Sequence, residues 1–490
     1  MGEPVEIELK LEYDPSDRER LIACAGFSDE GQTAIRLGAT YYDTPDLRLD
    51  KAGYALRIRK EAGRHVQTVK AASRQAAGLF VRSEWESAVG GDTPVLDEKA
   101  GPLCQLYDSA TLGRVVPLFS TDVERVAGSV EHADGSLIDV AIDSGEVRAG
   151  ARNCALSEIE LELKRGSSEA LFDLARSLGE RVPLRLGVQS KSERGYALSR
   201  NKSATAAKGE AVHLDRSMAT GEAFALIAAS CIRQYRLNED LLLRSAGAEA
   251  VHQARVGLRR LRTAFWLFRP LLGDDDRIRL LTAELRWLAG ELGEIRGIDV
   301  LLPQLDAPHR RTLATLREAR FQHLRDQLQT ERARSLPIEL AEWLAIGPWR
   351  SRPADADLCD PDLPSFASDR LERLRKRIKR EGRELPASGD EHRHEIRKDA
   401  KKLRYATEFF TGLYPGRKAR RRMDRFLARL EALQDKLGEL NDRAAAPALF
   451  ARLGIDIVLP PLEKKERKRL LEDAEDCLET LIDCKRFWRG

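Results

Sequence analysis

The sequence predicts an α+β protein: a closed antiparallel β-barrel with a charged lumen and flanking helices, followed by an all-α region built from a duplicated helical bundle. Three observations carry this. Over residues 1–200 short runs alternate charged with aliphatic side chains, the period-two signature of strands. From about residue 215 Leu, Ala, Arg and Glu recur at helical spacing. Within that second region one block of sequence occurs twice. At 490 residues the chain exceeds one ordinary core, so at least two domains are expected. Charged residues make up 33% of it yet nearly cancel, to a net charge of +3, so any ligand preference must come from local clustering. There is no apolar run of membrane-spanning length and no signal-peptide core, so the expectation is a cytoplasmic protein without a membrane partner. The seven cysteines are scattered and lack CxxC spacing, which argues against a zinc site or a disulfide framework.

The strand region opens with Glu6-Ile7-Glu8-Leu9-Lys10, which places Glu6, Glu8 and Lys10 on one face, and the theme returns at Glu158 to Lys164. Carboxylates gathered on one surface repel and desolvate badly unless a cation sits among them. Arg57 and Arg59 flank Ile58, and Arg82, Glu84 and Glu86 share one parity. Asp139, Ala141 and Asp143 alternate with Ile138, Val140 and Ile142, while Lys70 and Arg125 lie in similar contexts. Turn signals at Pro45-Asp46, Ala133-Asp134-Gly135 and Asp143-Ser144-Gly145 punctuate these runs. Strands that are apolar outside and charged inside fit a closed barrel, with helices at Ser16 to Cys24 and Ser168 to Leu178 covering the exterior. A lumen of both signs suits a metal-bound polyphosphate: oxygen ligands for Mg²⁺ or Mn²⁺, and Lys and Arg donors for phosphate.

Helical spacing covers Phe224 to Leu243, Val256 to Leu272, Arg277 to Leu292 and Arg421 to Leu440, with a small polar linker at Ser203 to Gly209 and a Pro- and Asp-rich loop from Gly347 to Pro364. The repeated block is His252-Gln253-Ala254-Arg255 continuing to Arg259 and Arg262, matched by His394-Glu395-Ile396-Arg397 continuing to Lys401 and Arg404. Leu292-Gly293-Glu294 aligns with Leu437-Gly438-Glu439, although Arg296 in the first repeat stands where the second has Asn441. On a helix each set of basic residues shares one face, so two such faces form one positive groove. The basic runs at 373–380 and 417–422 are expected to add cation to it. Nucleic acid is disfavoured as its ligand, because Phe265, Trp266 and Tyr405 read as core or flank rather than stacking platforms.

The Glu-x-Glu-x-Lys opening, Tyr41-Tyr42-Asp43-Thr44-Pro45, Leu56-Arg57-Ile58-Arg59, the Glu158 to Lys164 strand and Ser190-Lys191-Ser192-Glu193-Arg194-Gly195-Tyr196 together resemble the CYTH family of triphosphate tunnel metalloenzymes. The resemblance implies an eight-stranded antiparallel tunnel acting on triphosphates with a divalent metal. It implies Glu6, Glu8, Asp143, Glu158 and Glu160 as metal ligands or their support, and Lys10, Arg57, Arg59, Lys70, Arg125 and Lys191 as the phosphate-binding set. Glu6, Glu8, Lys10 and Lys191 would be central to catalysis, with Glu84 and Glu86 orienting the cations. Glu162 shares the face of Glu158 and Glu160, so the metal pair is either Glu158 and Glu160 or Glu160 and Glu162. The region from about 218 to 485 resembles the CHAD family, on the two His-x-x-Arg helices and the two Leu-Gly-Glu segments. That resemblance implies a basic-lined bundle binding inorganic polyphosphate through His252, Arg255, Arg259, Arg262, His394, Arg397, Lys401 and Arg404.

The expected division is a tunnel domain at 1–202, a linker at 203–216 and a helical domain at 217–487. The expected function is Mg²⁺- or Mn²⁺-dependent hydrolysis of inorganic triphosphate, coupled to polyphosphate binding, including at polyphosphate granules. The alternatives are an adenylate cyclase of the same family or another organic triphosphate hydrolase, and a non-catalytic polyphosphate-targeting protein.

Overall fold

The computed structural model describes residues 5–27, 33–61, 63–71, 77–97, 100–200, 205–273, 275–350, 362–385, 388–459 and 462–489. The chain forms two compact units, one of residues 1–205 together with 329–347, the other of 206–328 together with 348–490. The allegiance of 329–347 differs from a simple division along the chain. The apolar face of the helix Glu331–Ile346, with Leu336, Leu340 and Trp343 buried, packs on first-unit elements.

Among the described residues the first unit has nine strands: β1 (Val5–Tyr13), β2 (Thr33–Asp43), β3 (Tyr54–Glu61), β4 (Arg64–Ala71), β5 (Leu79–Val89), β6 (Val116–Glu131), β7 (Leu137–Ala149), β8 (Arg152–Arg165) and β9 (Leu184–Leu186). Their order is β5-β4-β3-β2-β6-β7-β8-β1, and antiparallel pairing of β1 with β5 closes eight of them into a barrel. The short β9 adds to the far end of β1. Asp143-Ser144-Gly145, expected as a turn, lies in the middle of β7. Gly145 is needed there because a Cβ would stand 2.1 Å from the Asp122 carbonyl oxygen on β6.

Register decides the lumen. Glu6 lies opposite Arg82, Lys70 opposite Glu84, Lys10 opposite Glu160 and Arg125 opposite Asp143, so complementary charges meet across four strand pairs. Alternate residues such as Leu9, Leu11, Ile159 and Leu161 form the buried outer face. The helix Ser168–Arg181 packs on β8, and the helix Glu331–Ile346 on β9 and on Ser168–Arg181. A second outer cluster joins Tyr42, Leu56, Ile58 and Val69 to Leu49, Leu103 and Leu112. One stretch of the interior is packed by Ala39, Tyr41, Phe119, Val147, Ala149 and Tyr196, the last supplied by the helix Lys191–Ser199. Gly195 admits that helix, since a Cβ there would stand 2.0 Å from Phe119.

In the second unit the duplication is visible at atomic level. The helices Ala248–Leu267 and Asp390–Phe409 are each 20 residues long, with extended glycine N-caps at Gly247 and Gly389 and C-caps Phe268 and Phe410 in near-identical backbone geometry. They pack on each other, and each packs on a long helix, Asp276–Leu301 for the first and Arg417–Leu453 for the second. An aromatic core of Phe224, Phe265, Phe268, Trp349, Phe366 and Phe410 underlies them. The segment after Thr205, expected as free linker, is tied down at Ala207, whose amide N–H and carbonyl both bond the Asn238 side chain. The proposed loop from 347 to 364 falls largely outside the described residues. No described helix is long and apolar enough to cross a membrane.

Candidate active site and cationic groove

The barrel encloses a cavity of about 810 Å³ lined by Glu6, Glu8, Lys10, Arg57, Arg59, Lys70, Arg125, Glu160 and Lys191, all anticipated, together with Arg82. Strand parity points all of these inward except Lys191, which the helix Lys191–Ser199 supplies, and the register determines who meets whom. At one wall Asp143, Glu158 and Glu160 converge, with one oxygen of each within 4.8 Å of the others. Three cations hold this buried cluster together. Lys10 donates to Glu158 Oε1 at 2.7 Å and Glu160 Oε1 at 2.6 Å, and Lys191 donates to the same two oxygens at 2.5 and 2.8 Å. Arg125 grips Asp143 with two bonds of 2.7 and 2.6 Å and reaches Glu160 at 2.7 Å. Burial opposes every charge here, yet Glu158 and Glu160 hold the Lys10 ammonium above its usual range, and Lys10, Lys191 and Arg125 hold the Glu160 carboxyl well below its own. Burial likewise opposes the Asp143 charge, but Lys191 and Arg125 prevail and lower its pKa.

Glu6 and Glu8, expected among the metal ligands, stand apart from this cluster. Arg82 bonds Glu6 at 3.1 Å and Glu8 at 2.8 Å, and Lys70 adds a second ion pair to Glu6 at 3.1 Å. The two carboxylate sets are bridged by Lys10, whose ammonium lies 3.4 Å from Glu8. Arg82 was absent from the expected phosphate set, although its parity with Glu84 and Glu86 carried the signal. Arg57 and Arg59 face the lumen with long ion pairs, Arg57 to Glu84 at 3.9 Å and Arg59 to Glu61 at 3.4 Å and Glu86 at 3.7 Å, and the Nε of each lacks a hydrogen-bond partner among the described residues. Glu162, the third carboxylate of its strand face, lines the cavity but pairs with Lys164 rather than joining the cluster. Asp43, from the Tyr-Tyr-Asp-Thr-Pro run, is a structural residue: its carboxylate accepts from the Thr44, Leu49 and Asp50 amides and from the Tyr196 hydroxyl.

The donor set fits a divalent cation. Its three ligand groups are carboxylates, and Glu158 Oε2 is buried with no hydrogen-bond partner among the described residues.

In the helical unit a groove of about 1460 Å³ is lined by all eight expected residues, His252, Arg255, Arg259, Arg262, His394, Arg397, Lys401 and Arg404, and by Arg286 and Arg296 from the neighbouring long helix. The Leu-Gly-Glu glycines make room for it. A Cβ at Gly293 would stand 2.6 Å from Arg255 Nη1, and one at Gly438 3.0 Å from Arg397 Nη2. Arg255 donates to the Ala289 carbonyl and Arg259 to the Tyr405 hydroxyl. Among the described residues Arg255, Arg259, Arg262 and Lys401 have no carboxylate within 4.0 Å, whereas Arg397 has Asp442 at 3.7 Å and Arg404 pairs with Glu408 at 3.0 Å. The result is mutual repulsion. Burial and the neighbouring Arg259, Arg397 and Arg255 push Lys401 down to about 6, and burial with Arg259 and Arg262 pushes Arg255 down to about 10. His252 is lowered by burial and by Arg296, whereas its counterpart His394 pairs with the Asn441 side chain.

Two expectations for the groove are corrected. The basic runs at 373–380 and 417–422 do not line it: Arg373 pairs with Asp369, Arg377 with Asp399, Arg380 with Glu381, and Arg422 donates to the Arg486 carbonyl. Helical periodicity turned these residues away from the groove, toward acids or a backbone carbonyl. Conversely, Trp266 and Tyr405 line the groove rather than merely flanking it, with Lys402 lying 4.8 Å over the Trp266 ring.

Comparison with known proteins places both regions of the chain in known domain families. Residues 5–196 match the CYTH domain family and residues 226–451 the CHAD domain family, so the chain carries a CYTH domain followed by a CHAD domain. Over 197 residues it is 37% identical to a protein of Haemophilus influenzae named inorganic triphosphatase, covering 39% of this chain and 54% of that one, so the chain spans about half the length of this curated relative. Among solved structures, the CHAD domain from the plant Ricinus communis is 27% identical, covering 56% of this chain and 91% of that one with a TM-score of 0.45. A proposed adenylyl cyclase from Hippeastrum with a dominant triphosphatase activity is 20% identical, covering 40% of this chain and 95% of that one with a TM-score of 0.29.

Proposed function

We propose that the barrel hydrolyses inorganic triphosphate with a divalent metal, and that the helical groove binds inorganic polyphosphate. The observation that carries the first half is that Glu160, which lines the cavity in front of the buried Asp143 and Glu158, shares that cavity with Arg57 and Arg59, whose ion pairs are long. The carboxylates would hold Mg²⁺ or Mn²⁺, with Glu6 and Glu8 contributing from the adjoining wall, and the ion would supply charge neutralisation for phosphoryl transfer. Arg57, Arg59, Lys70 and Arg125 align the phosphate chain, Arg through planar bidentate contacts. Lys10 and Lys191 neutralise charge on the terminal phosphate as water attacks the phosphorus and the pyrophosphate oxygen leaves. The aromatic lining residues Tyr41 and Phe80 are 4% and 1% exposed, which leaves little ring face for a nucleoside and favours inorganic triphosphate over ATP cyclisation. The name of the Haemophilus influenzae relative supports the same substrate.

For the groove, the supporting observation is the row of Arg255, Arg259, Arg262 and Lys401, none with a carboxylate within 4.0 Å among the described residues, whose mutual repulsion a polyanion would relieve. A polyphosphate-binding unit on the same chain raises the local concentration of phosphate chains. The decisive assay is phosphate release from tripolyphosphate by the full chain, with ATP and thiamine triphosphate in parallel and Mg²⁺ or Mn²⁺ added or chelated. Release that persists in the Glu158→Gln plus Glu160→Gln variant at more than a hundredth of the original rate refutes the tunnel reading. Turnover confined to ATP, with cyclic AMP as product, transfers the assignment to a cyclase.

A further inference from the structure

The acidic cluster in the barrel is neutralised by the chain itself. Three carboxylates, Asp143, Glu158 and Glu160, face three cations, Lys10, Lys191 and Arg125. The arrangement is unusual in its sharing: Glu158 Oε1 and Glu160 Oε1 each accept from both ammonium groups, at 2.5 to 2.8 Å. A divalent cation on these oxygens would compete with both lysines for the same lone pairs, and any that displaced them would strand two ammonium groups in a buried site. Triphosphate entering without metal meets the complementary problem, because drawing the lysines onto phosphate would leave three buried carboxylates bare beside a polyanion. Each ligand alone therefore breaks more ion pairing than it makes.

The three cations differ in how easily they change partner. Arg125 is fixed by its two-bond fork on Asp143. Lysine carries one compact ammonium on a rotatable stem, so it can swing between acceptors. Lys191 is the first residue of a helix whose capping box, Ser190 with Glu193, anchors the backbone, so motion is confined to its side chain. The two ammonium groups also repel each other, which favours release of either.

We infer that Lys10 and Lys191 are exchangeable counter-ions, which occupy the metal-binding carboxylates and transfer to phosphate oxygens when metal and triphosphate enter together, making the two ligands bind with strong positive coupling. This rests on the tunnel reading above. The coupling is reciprocal: whatever factor triphosphate adds to metal affinity, metal adds to triphosphate affinity. It provides an ordered control, since metal is not retained without substrate.

The test is equilibrium binding to the full chain, with Mn²⁺ followed by electron paramagnetic resonance and the slowly hydrolysed imido analogue of triphosphate followed by calorimetry, each alone and in combination. Exchange predicts that Lys191→Met tightens Mn²⁺ alone by about tenfold or more, because the competing ammonium is gone, and weakens the analogue alone by a similar factor. Arg59→Met, which removes a lumen cation that does not touch the cluster, weakens the analogue but leaves Mn²⁺ affinity within about twofold. If the Met variant melts too low to assay, Lys191→Gln keeps a hydrogen-bond donor on both glutamates and serves the same comparison, with Mn²⁺-induced stabilisation in thermal melts as a second readout. Unchanged Mn²⁺ affinity in Lys191→Met, or equal tightening by Arg59→Met, overturns the exchange while the tunnel reading stands. If the wild-type chain binds neither Mn²⁺ nor the analogue, in any combination, both fall.

Discussion

Lys401 provides the sharpest quantitative prediction for the helical groove. Its amine is held at about 6 by burial and by Arg259, Arg397 and Arg255, with Asp442 the only opposing influence of note. At pH 7 about a tenth of the molecules carry the charge. A bound polyphosphate supplies the missing counter-charge, so the amine is protonated in the complex across the neutral range, and binding takes up a proton. If the bound amine stays charged throughout, the binding constant is about 25-fold larger at pH 5.5 than at pH 7.5, or about 1.9 kcal/mol. Calorimetric titration of the full chain with long-chain polyphosphate at fixed ionic strength, in buffers of different ionisation enthalpy, measures both the affinity ratio and the proton uptake near pH 7. Lys401→Met should remove most of the ratio, leaving a smaller residual dependence from His252 at the acid end. The same substitution should stabilise the unliganded fold. Because the folded amine is harder to protonate than the unfolded one, the free protein loses stability as pH falls from the usual lysine range toward about 6, and Met lacks that penalty. Higher melting temperature with weaker binding is the expected signature of a strained binding residue. A pH-independent affinity in the wild type, or a Lys401→Met variant that melts lower and binds as tightly, refutes the reasoning.

Three further outcomes follow from the packing and the lumen. Gly293→Ala should raise or preserve the melting temperature, since alanine favours a helix over glycine by about 1 kcal/mol, yet weaken polyphosphate binding severalfold because its Cβ displaces the Arg255 guanidinium, 2.6 Å away. Trp343→Ala should destabilise the barrel unit by about 3–5 kcal/mol in urea unfolding, since Trp343 is fully buried in the helix that returns to that unit; a change below about 1 kcal/mol would show the helix dispensable. Arg82→Ala should lower triphosphate turnover by at least about tenfold with little loss of fold, because Glu6 and Glu8 lose the guanidinium that orients them and repel each other. Steady-state kinetics and thermal melts on the same sample check the last case.

Most of the barrel's wall was legible from alternation. A strand's side chains alternate by geometry, so Glu6, Glu8 and Lys10 had to share a face, and the accumulation of such runs required a lumen. The duplicated helices were legible for the same kind of reason: His252, Arg255, Arg259 and Arg262 fall on one helical face at any tertiary arrangement. Locally misleading signals produced the errors. Asp143-Ser144-Gly145 has turn composition, but its glycine serves a close strand approach in the middle of β7. The basic runs at 373–380 and 417–422 counted as charge along the chain, while Arg373, Arg377 and Arg380 turned to acids and Arg422 to a backbone carbonyl.

What the sequence by itself determined is which side chains travel together, because strand and helix periods are properties of the local backbone. Which groups oppose one another was decided only by tertiary structure, because register and helix packing join residues far apart in the chain. Strand pairing brought Asp143 to Glu158 and set Arg82 against Glu6 and Glu8, and packing of two helices 142 positions apart set Lys401 among Arg255 and Arg259. The shared lysine contacts in the tunnel and the depressed Lys401 arise from those juxtapositions, since desolvation and Coulomb interactions depend on distance in space.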